Sequence, residues 1–232
     1  MEKHLRIQIA GPSGVGKTTL AKDISDIYGI PYVSGSYSDL IPSTKDILHS
    51  DMISMDPKEI YQNDFQLLNL RKRLFENNPT YVSDRSFLDS ATYIIEKVSS
   101  KIPNCEIENF LEICLTLLMN TCTHLIFVPF SKNYFKEWEI EDNNKRITNK
   151  YYQYHISLLM EGILSYFNYT RSYLYSHMID SMVPINCGKI EYLGKSLKIL
   201  ILQDIDHNMR VDKIMKFLEL KKKKKTNSYS IF

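Results

Sequence analysis

Apolar residues along this chain recur with two different periods, and the alternation of the two predicts a mixture of strands and helices. Five short apolar runs have the length and composition of β-strands, at 5–10, 30–33, 79–83, 123–129 and 198–202. Segments with apolar residues at helical spacing follow them, at 19–24, 57–75, 88–98, 107–122, 146–167 and 211–220. Strands that alternate with helices favour an α/β fold, a three-layer sandwich in which helices cover both faces of a parallel sheet of about five strands.

The segment between the first strand and the first helix carries a phosphate-binding motif. Residues 11–18 read Gly-Pro-Ser-Gly-Val-Gly-Lys-Thr, which fits the pattern G-x-x-x-x-G-K-[ST] at every fixed position. Glycines let successive backbone amides point into one concavity, and the helix that follows offers its unpaired amides to the same anion. In such a P-loop, Lys17 reaches the outer phosphates of ATP and the Thr18 hydroxyl ligates Mg²⁺. The predicted ATP-binding residues are Gly11, Ser13, Gly14, Val15, Gly16, Lys17, Thr18 and Thr19.

A second group with candidate chemistry, Asp84-Arg85-Ser86, follows the strand at 79–83. Ligands of an open parallel sheet bind beside the carboxyl ends of its strands, so we expect Asp84 near the Mg²⁺ position. Its carboxylate could hold a metal-bound water or accept a proton from an attacking hydroxyl. Arg85 is placed to bind an acceptor phosphate or the group in transfer. Together with Lys17, these residues predict phosphoryl transfer.

The ten residues that begin at Asp84 resemble a kinase signature. They read DRSFLDSATY and are similar to the D-R-Y-x-x-S-x-x-A-Y signature of thymidylate kinases, with Asp89 where that family has serine. The first three residues also resemble the Asp/Glu-Arg-Ser element of deoxyribonucleoside kinases. The resemblance implies an ATP- and Mg²⁺-dependent enzyme that transfers the γ-phosphoryl group to a nucleoside monophosphate or a nucleoside.

The same resemblance assigns roles in an acceptor site and a lid. The pair Phe65-Gln66, with Arg71 downstream, looks like the base-reading helix of deoxyribonucleoside kinases. There a glutamine pairs with the base and an arginine lies near the 5′ end of the acceptor; the alternative for Arg71 is a solvated helix face. Lys145-Arg146 before a long helix resembles the basic lid that closes over the donor phosphates. This implies a helical lid at about 131–150 and a catalytic role for Arg146.

One departure from the deoxyribonucleoside kinases bears on the acceptor. Those enzymes usually carry a glutamate as general base after the second strand, whereas this chain has Ser34-Gly35-Ser36 there and Asp39 as the nearest carboxylate. A hydroxyl acceptor would need Asp39 or Asp84 as its base, while a phosphate acceptor is already ionised and needs none. The difference slightly favours a monophosphate acceptor. The predicted substrate-binding residues are Tyr37, Asp39, Gln66, Arg71 and Arg85.

Length and composition place these motifs in one domain. The chain has 232 residues and a net charge of +2, which predicts a single kinase domain at 1–220 and a basic tail at 221–232. The run of five lysines in the tail could follow a nucleic-acid backbone, but a solvated end is favoured. The four cysteines form no C-x-x-C pair, and the N-terminus has no signal-peptide pattern. We therefore expect a cytoplasmic protein with reduced thiols and no membrane segment.

Several alternatives stay open at this point. A kinase that acts on nucleic acid, at a strand end or on a hydroxylated base, would suit the lysine tail. A nicotinamide-riboside-type kinase is a looser resemblance. A P-loop ATPase that drives a partner would use Asp84 as its Walker B carboxylate. The strongly apolar segment 107–122 predicts either a core helix or the face of a homodimer.

Overall fold

One five-stranded sheet runs through the part of the chain that the computed structural model describes, residues 4–41, 55–130, 149–172, 187–192, 195–203 and 206–218. The strands in chain order are β1 (Arg6–Ala10), β2 (Tyr81–Ser83), β3 (His124–Phe127), β4 (Cys187–Tyr192) and β5 (Lys195–Ile201). Their order across the sheet is β2-β1-β3-β5-β4. The first four in this order are parallel, and β4 pairs antiparallel with β5 at the edge. The parallel sheet predicted from the sequence is thus confirmed for four strands.

The remaining strand differs from the prediction. Residues 30–33, predicted as a strand, run beside β2 but form only one isolated bridge, between Tyr32 and Val82. The carbonyl of Pro31 accepts from the Val82 amide at 2.9 Å, but Pro31 has no amide hydrogen with which to extend the ladder. The antiparallel β4 supplies the fifth strand instead. Its sequence, Cys-Gly-Lys-Ile-Glu-Tyr, holds too few apolar residues to be recognised as a buried strand.

Seven helices lie within the described residues, and several of their ends follow from the sequence. They are α1 (Lys17–Tyr28), α2 (Tyr37–Leu40), α3 (Pro57–Glu76), α4 (Phe87–Val98), α5 (Asn104–Thr121), α6 (Lys150–Ser172) and α7 (His207–Leu218). Gly29, in the left-handed region at φ 65°, ends α1. Asp56 caps α3 with its side chain, which accepts from the Lys58 amide. The segment predicted as a polar loop after residue 33 contains α2, a single turn capped by Ser36.

Both faces of the sheet are covered by helices. Successive side chains of a strand point to opposite faces, and in β1 Ile7 and Ile9 pack with α1 and α7 whereas Ala10 packs with α3, α4, α5 and α6. Residues on both faces are fully buried, which explains why these strands contain near-continuous apolar runs. The predicted three-layer α/β sandwich is confirmed.

The apolar helix α5 belongs to the interior. Its residues Phe110, Cys114 and Leu118 are fully buried in the cluster that α3, α4 and the sheet share. Of the two alternatives for segment 107–122, the core helix is therefore the one that the packing supports.

A buried polar network attaches the start of α4 to the centre of the sheet. The Gln8 side-chain nitrogen donates to the Tyr81 hydroxyl at 2.9 Å and to the Thr121 hydroxyl at 3.0 Å. The Gln8 side-chain oxygen accepts from the Phe87 amide at 3.4 Å. Because Phe87 is the first residue of α4, the network fixes the chain directly after Asp84-Arg85-Ser86 against β1.

Some predictions fall outside the described residues. These are the lid segment 131–148 with Arg146, the tail at 221–232, and hence the proposed division of the chain at residue 220. Within the described residues, none of the helices combines the length and the apolar character that crossing a bilayer requires.

Candidate active site

The P-loop has the backbone that its glycines predict. Gly16 adopts φ 85° and stands as the N-cap of α1, where no side chain caps the helix; an uncapped helix start of this kind suits an anion. Gly11 adopts φ 154°, and a Cβ at this position would lie 2.4 Å from the carbonyl oxygen of Val128. No larger residue fits at Gly11, because the loop passes directly against the end of β3.

Lys17 lies folded within this loop. Its ammonium donates to the carbonyl of Gly11 at 2.5 Å and to that of Pro12 at 2.7 Å, and the residue is only 5% exposed. The cation is thus already held inside the concavity of the loop, which is the position predicted for the lysine that binds the outer phosphates.

Thr18 and Asp84 meet although they are 66 residues apart in sequence. The Thr18 hydroxyl donates to Oδ2 of Asp84 at 2.6 Å. β2 lies next to β1, so the end of β2 delivers Asp84 to the side of the P-loop, as the sequence predicted. The other oxygen of Asp84, Oδ1, is buried and has no hydrogen-bond partner within the described part of the chain.

These oxygens fit a Mg²⁺ site. Mg²⁺ prefers oxygen ligands and is usually held by one or two protein groups together with phosphate oxygens and waters. A threonine hydroxyl and a buried carboxylate with an unused oxygen match that requirement. Among the described residues, no group of three or more His, Cys, Asp or Glu side chains forms a site that would hold a metal by itself. Any Mg²⁺ here would therefore be shared with a phosphate ligand.

Tyr32 is a neighbour of Asp84 that the sequence analysis did not identify. Burial raises the pKa of Tyr32, a hydrogen bond with Ser34 lowers it, and the charge of Asp84 together with a hydrogen bond to that carboxylate raises it. The ammonium of Lys22 lies 5.9 Å from the centre of the Tyr32 ring. The bridge between Tyr32 and Val82 brings the phenol here, a pairing that the sequence indicates only weakly.

Two arginines lie near the start of α4. Arg71 is buried; its Nε donates to the Gly35 carbonyl at 2.8 Å and its Nη1 to the Ser90 hydroxyl at 2.7 Å. Burial lowers the pKa of Arg71 to about 10, which still leaves it protonated at neutral pH. Arg85 is half-buried, and its positive charge also lowers the pKa of Arg71. The alternative of a solvated helix face is wrong for Arg71, because α3 turns this cation inward with Leu68 and Phe75.

Asp89 is a second buried carboxylate in the same cluster, and the sequence analysis gave it no role. Its Oδ2 accepts from the Ser86 amide at 2.8 Å and completes a capping box at the start of α4. Its Oδ1 is buried and has no hydrogen-bond partner within the described residues. Burial raises the pKa of Asp89, while the charges of Lys17, Arg85 and Arg71 lower it.

The other predicted acceptor residues lie further out. Tyr37 is half-buried in α2, where burial and then the charge of Asp64 raise its pKa. Asp39 is exposed and accepts a hydrogen bond from the Ser34 hydroxyl. Gln66 is exposed on α3, about 140° around the helix from Arg71 at 100° per residue. The structure therefore brings Lys17, Thr18, Asp84, Arg85 and Arg71 together, and leaves Gln66 on a different face.

Two helices from the second half of the chain hold the P-loop in place. The side-chain oxygen of Gln153 in α6 accepts from the Ser13 amide at 2.9 Å. Arg210 in α7 donates through Nη1 to the Val15 carbonyl at 2.8 Å. Burial lowers the pKa of Arg210 to about 10. The sequence analysis did not identify Gln153 and Arg210 as contacts of the P-loop. Each is a buried polar residue in a helix, but no sequence pattern connects either of them to a loop more than 100 residues away.

Replacing Arg210 with methionine is expected to lower the free energy of unfolding by about 1–3 kcal/mol, because the buried Val15 carbonyl loses a charged donor. The KM for ATP should rise more than kcat falls, since the loop is loosened while the reacting groups stay. Urea unfolding and steady-state kinetics measure the two effects. Lys216→Met, at an exposed position of the same helix, is the matched control. Equal stability of the two variants would contradict the role of Arg210.

Comparisons with known proteins agree with this geometry. A family model described as an AAA domain matches residues 6–169, which is more than half of the chain. A sequence search of curated proteins gives no match. Among solved structures, deoxyadenosine kinase from M. mycoides with bound dATP superposes with a TM-score of 0.58 at 13% sequence identity. The match covers 94% of this chain and 100% of that chain.

Two further structures have the same fold. The NadR protein in complex with NAD and AMP-PNP has a TM-score of 0.59 at 10% identity, over 95% of this chain and 51% of that chain, so this chain spans about half the length of NadR. Thymidylate kinase from Candida albicans has a TM-score of 0.52 at 13% identity, over 94% of this chain and 93% of that one. Such identities establish a common fold and no more. With its P-loop, its strand order and a family match over residues 6–169, the chain belongs to the AAA-domain family of P-loop proteins and has the fold of nucleoside and nucleotide kinases.

Proposed function

We propose that the protein is an ATP- and Mg²⁺-dependent kinase that transfers the γ-phosphoryl group to a nucleoside or a nucleoside monophosphate. The observation that carries this proposal is the contact of 2.6 Å between Thr18 and Asp84, which joins the P-loop to the neighbouring strand. Phosphoryl transfer requires positioned phosphates, a metal site and positive charge beside them. Candidate groups for all three requirements lie in one cluster.

The P-loop would bind the donor. Lys17 would exchange its contacts with the Gly11 and Pro12 carbonyls for contacts with phosphate oxygens, and the open amides of α1 would donate to the same group. Thr18 and Asp84 would hold Mg²⁺, which neutralises charge on the phosphates during transfer. The NadR structure contains AMP-PNP and the deoxyadenosine kinase structure contains dATP, which supports a triphosphate ligand for this fold.

The acceptor would lie between α2, α3 and α4. Arg71 and Arg85 provide positive charge at the start of α4. The loop at Gly35 packs against both: its carbonyl accepts from Arg71, and a Cβ on Gly35 would lie 3.0 Å from that of Arg85. The half-buried Tyr37 and the exposed Asp39 would contact the acceptor, whereas Gln66 lies on a different face of α3 from Arg71 and has no place in this proposal. Arg146 remains proposed as a cation of the lid.

The buried cations also distinguish this proposal from a P-loop ATPase. An ATPase needs a triphosphate site and a water, and neither requires the buried cation of Arg71, which donates to the Gly35 carbonyl and the Ser90 hydroxyl. Burying a guanidinium is unfavourable unless it is hydrogen-bonded and matched by charge. A polar or anionic second substrate explains why this position carries an arginine.

The test is a screen for acceptor-dependent ADP formation. The purified protein, ATP and Mg²⁺ are combined in turn with nucleosides, nucleoside monophosphates, nicotinamide riboside and oligonucleotides with a free 5′ hydroxyl. We expect at least one nucleoside or monophosphate to raise ADP formation above the basal rate, and to raise the unfolding temperature when an ATP analogue that resists hydrolysis is present. Lys17→Ala is the control for contaminating kinases. ADP formation that no acceptor stimulates would contradict the proposal and favour an ATPase.

A further inference from the structure

Asp89 has one oxygen that the fold uses and one that it does not. Oδ2 accepts from the Ser86 amide at 2.8 Å and caps α4. Oδ1 is buried in a side chain that is 2% exposed, and it has no hydrogen-bond partner among the described residues. An unpaired buried carboxylate oxygen is costly. The capping role alone does not account for this oxygen, because capping needs only Oδ2.

The surroundings of Asp89 place it in the catalytic cluster. The charged groups that act on it come from three elements, Lys17 at the start of α1, Arg71 in α3 and Arg85 before α4. The hydroxyl of Ser90, the next residue, accepts from Arg71 at 2.7 Å, so the guanidinium lies directly beside this turn. Within α4, the charge of Asp89 acts on the half-buried Tyr93. The carboxylate therefore lies among the cations that would receive the transferred group and the acceptor.

The other carboxylates near the site are already engaged. Asp84 accepts from Thr18 and fits the metal. Asp39 is exposed and accepts from Ser34. Asp64 forms an ion pair of 3.2 Å with Lys97. Of these four aspartates, Asp89 alone is both buried among the catalytic cations and left with an oxygen that neither a partner nor the proposed metal occupies.

We propose that Asp89 is the general base of this enzyme and that its Oδ1 accepts the proton of an attacking hydroxyl. The acceptor is therefore a nucleoside rather than a nucleoside monophosphate. This inference rests on the function proposed above. In the step, the hydroxyl oxygen forms a bond to the γ-phosphorus as the bond from that phosphorus to the β,γ-bridging oxygen breaks. ADP leaves with that electron pair, and the hydroxyl proton passes to Asp89.

The charge of Asp89 gives a second reason for a hydroxyl acceptor. A phosphate acceptor would bring about two negative charges next to a buried carboxylate, and like charges in a low-dielectric site repel strongly. A neutral hydroxyl meets no such repulsion and donates its hydrogen to the free oxygen. The slight preference for a monophosphate acceptor depended on the lack of a suitable base after residue 33, and Asp89 supplies one from the first turn of α4.

The test compares the wild type, Asp89→Asn and Ser86→Ala on matched nucleosides and monophosphates across pH 5–9. Asparagine is isosteric and keeps an oxygen for the cap, whereas Ser86→Ala removes the capping hydroxyl, which accepts from the Leu88 amide at 3.1 Å, and leaves the carboxylate. We expect the wild type to prefer nucleosides, with kcat rising as Asp89 ionises. Asp89→Asn should lower kcat by about 10²-fold with little change in KM, and lose that dependence on pH. Ser86→Ala should lose stability but keep the pH profile.

A measurement without substrate checks the environment of Asp89. Burial raises the pKa of Asp89 above that of an ordinary, solvent-exposed aspartate. Below that value the carboxyl is protonated in both states; as pH rises, the unfolded chain releases the proton first, so the folded state loses stability until the raised pKa is passed. Asp89→Asn lacks this loss, so the difference between its unfolding temperature and that of the wild type should shift in favour of the variant as pH rises above the ordinary pKa of an aspartate.

The outcomes separate the two proposals. A wild type that phosphorylates monophosphates in preference to nucleosides, or an Asp89→Asn variant with nearly full nucleoside turnover, would overturn the role of Asp89 and leave the kinase proposal standing. An unfolding temperature difference that does not change with pH would also overturn it. A wild type that phosphorylates neither class would refute the proposed function itself. The wild-type preference needs no variant, so it decides even if Asp89→Asn fails to fold.

Discussion

Replacing Lys17 with alanine is expected to lower the rate of phosphoryl transfer by about 10³-fold while the protein remains folded. The side chain is the cation held inside the P-loop, where its ammonium donates to two loop carbonyls. Alanine leaves no positive charge there to stabilise the outer phosphates as charge develops on the group in transfer. Initial rates with the best acceptor from the screen measure the effect.

The stability of Lys17→Ala should change little, because two terms oppose each other. The carbonyls of Gly11 and Pro12 lose a donor, which costs about 1–3 kcal/mol for a buried group. At the same time the variant no longer buries a cation whose side chain is 5% exposed. The matched control is Lys58→Ala, which removes an exposed lysine from the first turn of α3. Turnover close to that of the wild type in Lys17→Ala would exclude the P-loop as the donor site.

Replacing Asp84 with asparagine is expected to lower kcat by about 10³-fold and to raise the Mg²⁺ concentration needed for half-maximal rate. The physical reason is the loss of a negative oxygen from the proposed metal site, and a bound divalent ion contributes several kcal/mol to such a transition state. Asparagine has the same shape and keeps a carbonyl oxygen that accepts from Thr18, so the contact of 2.6 Å between the P-loop and β2 should persist.

Titration of the rate with Mg²⁺ separates a metal role from a structural one for Asp84. Asp26→Asn, on an exposed position of α1, is the control, and it should leave both the rate and the Mg²⁺ dependence unchanged. A variant Asp84→Asn that is slow but has the Mg²⁺ dependence of the wild type would remove Asp84 from the metal site. It would then act on the reaction through Thr18 or the loop alone.

The sequence predicted the donor half of the site well, for two physical reasons. The P-loop is a local motif whose conformation depends on glycines within a few residues of one another, such as Gly11 and Gly16. Asp84 is distant in sequence, but the end of a parallel strand next to β1 leaves few places where it can lie. Local backbone preferences and sheet topology together therefore located Lys17, Thr18 and Asp84.

The acceptor half was harder to predict because burial of a charged residue leaves no trace in a hydrophobic pattern. Arg71 counted as a polar position on α3, yet it lies on the buried face with Leu68 and Phe75. Gln66 followed from a resemblance to another family, and here it is exposed on a different face. Asp89 stood out in the sequence only as a replacement of serine in the thymidylate kinase signature, and nothing in that pattern shows its buried, unpaired oxygen. In each case the environment depends on contacts between helices that no single segment specifies.

The hydrogen bonds from Gln153 and Arg210 to the P-loop determine which parts of the chain must be present before the loop is held in place. The partner of the Ser13 amide, Gln153, lies 140 residues further along the chain, and the partner of the Val15 carbonyl, Arg210, lies 195 residues further along. A nascent chain on the ribosome contains the whole glycine motif early, whereas the two anchors emerge only after a further 140 and 195 residues. Grafting the first hundred residues onto another scaffold would therefore transfer the motif without either anchor, and a fragment that ends before α7 would keep Gln153 but lose Arg210.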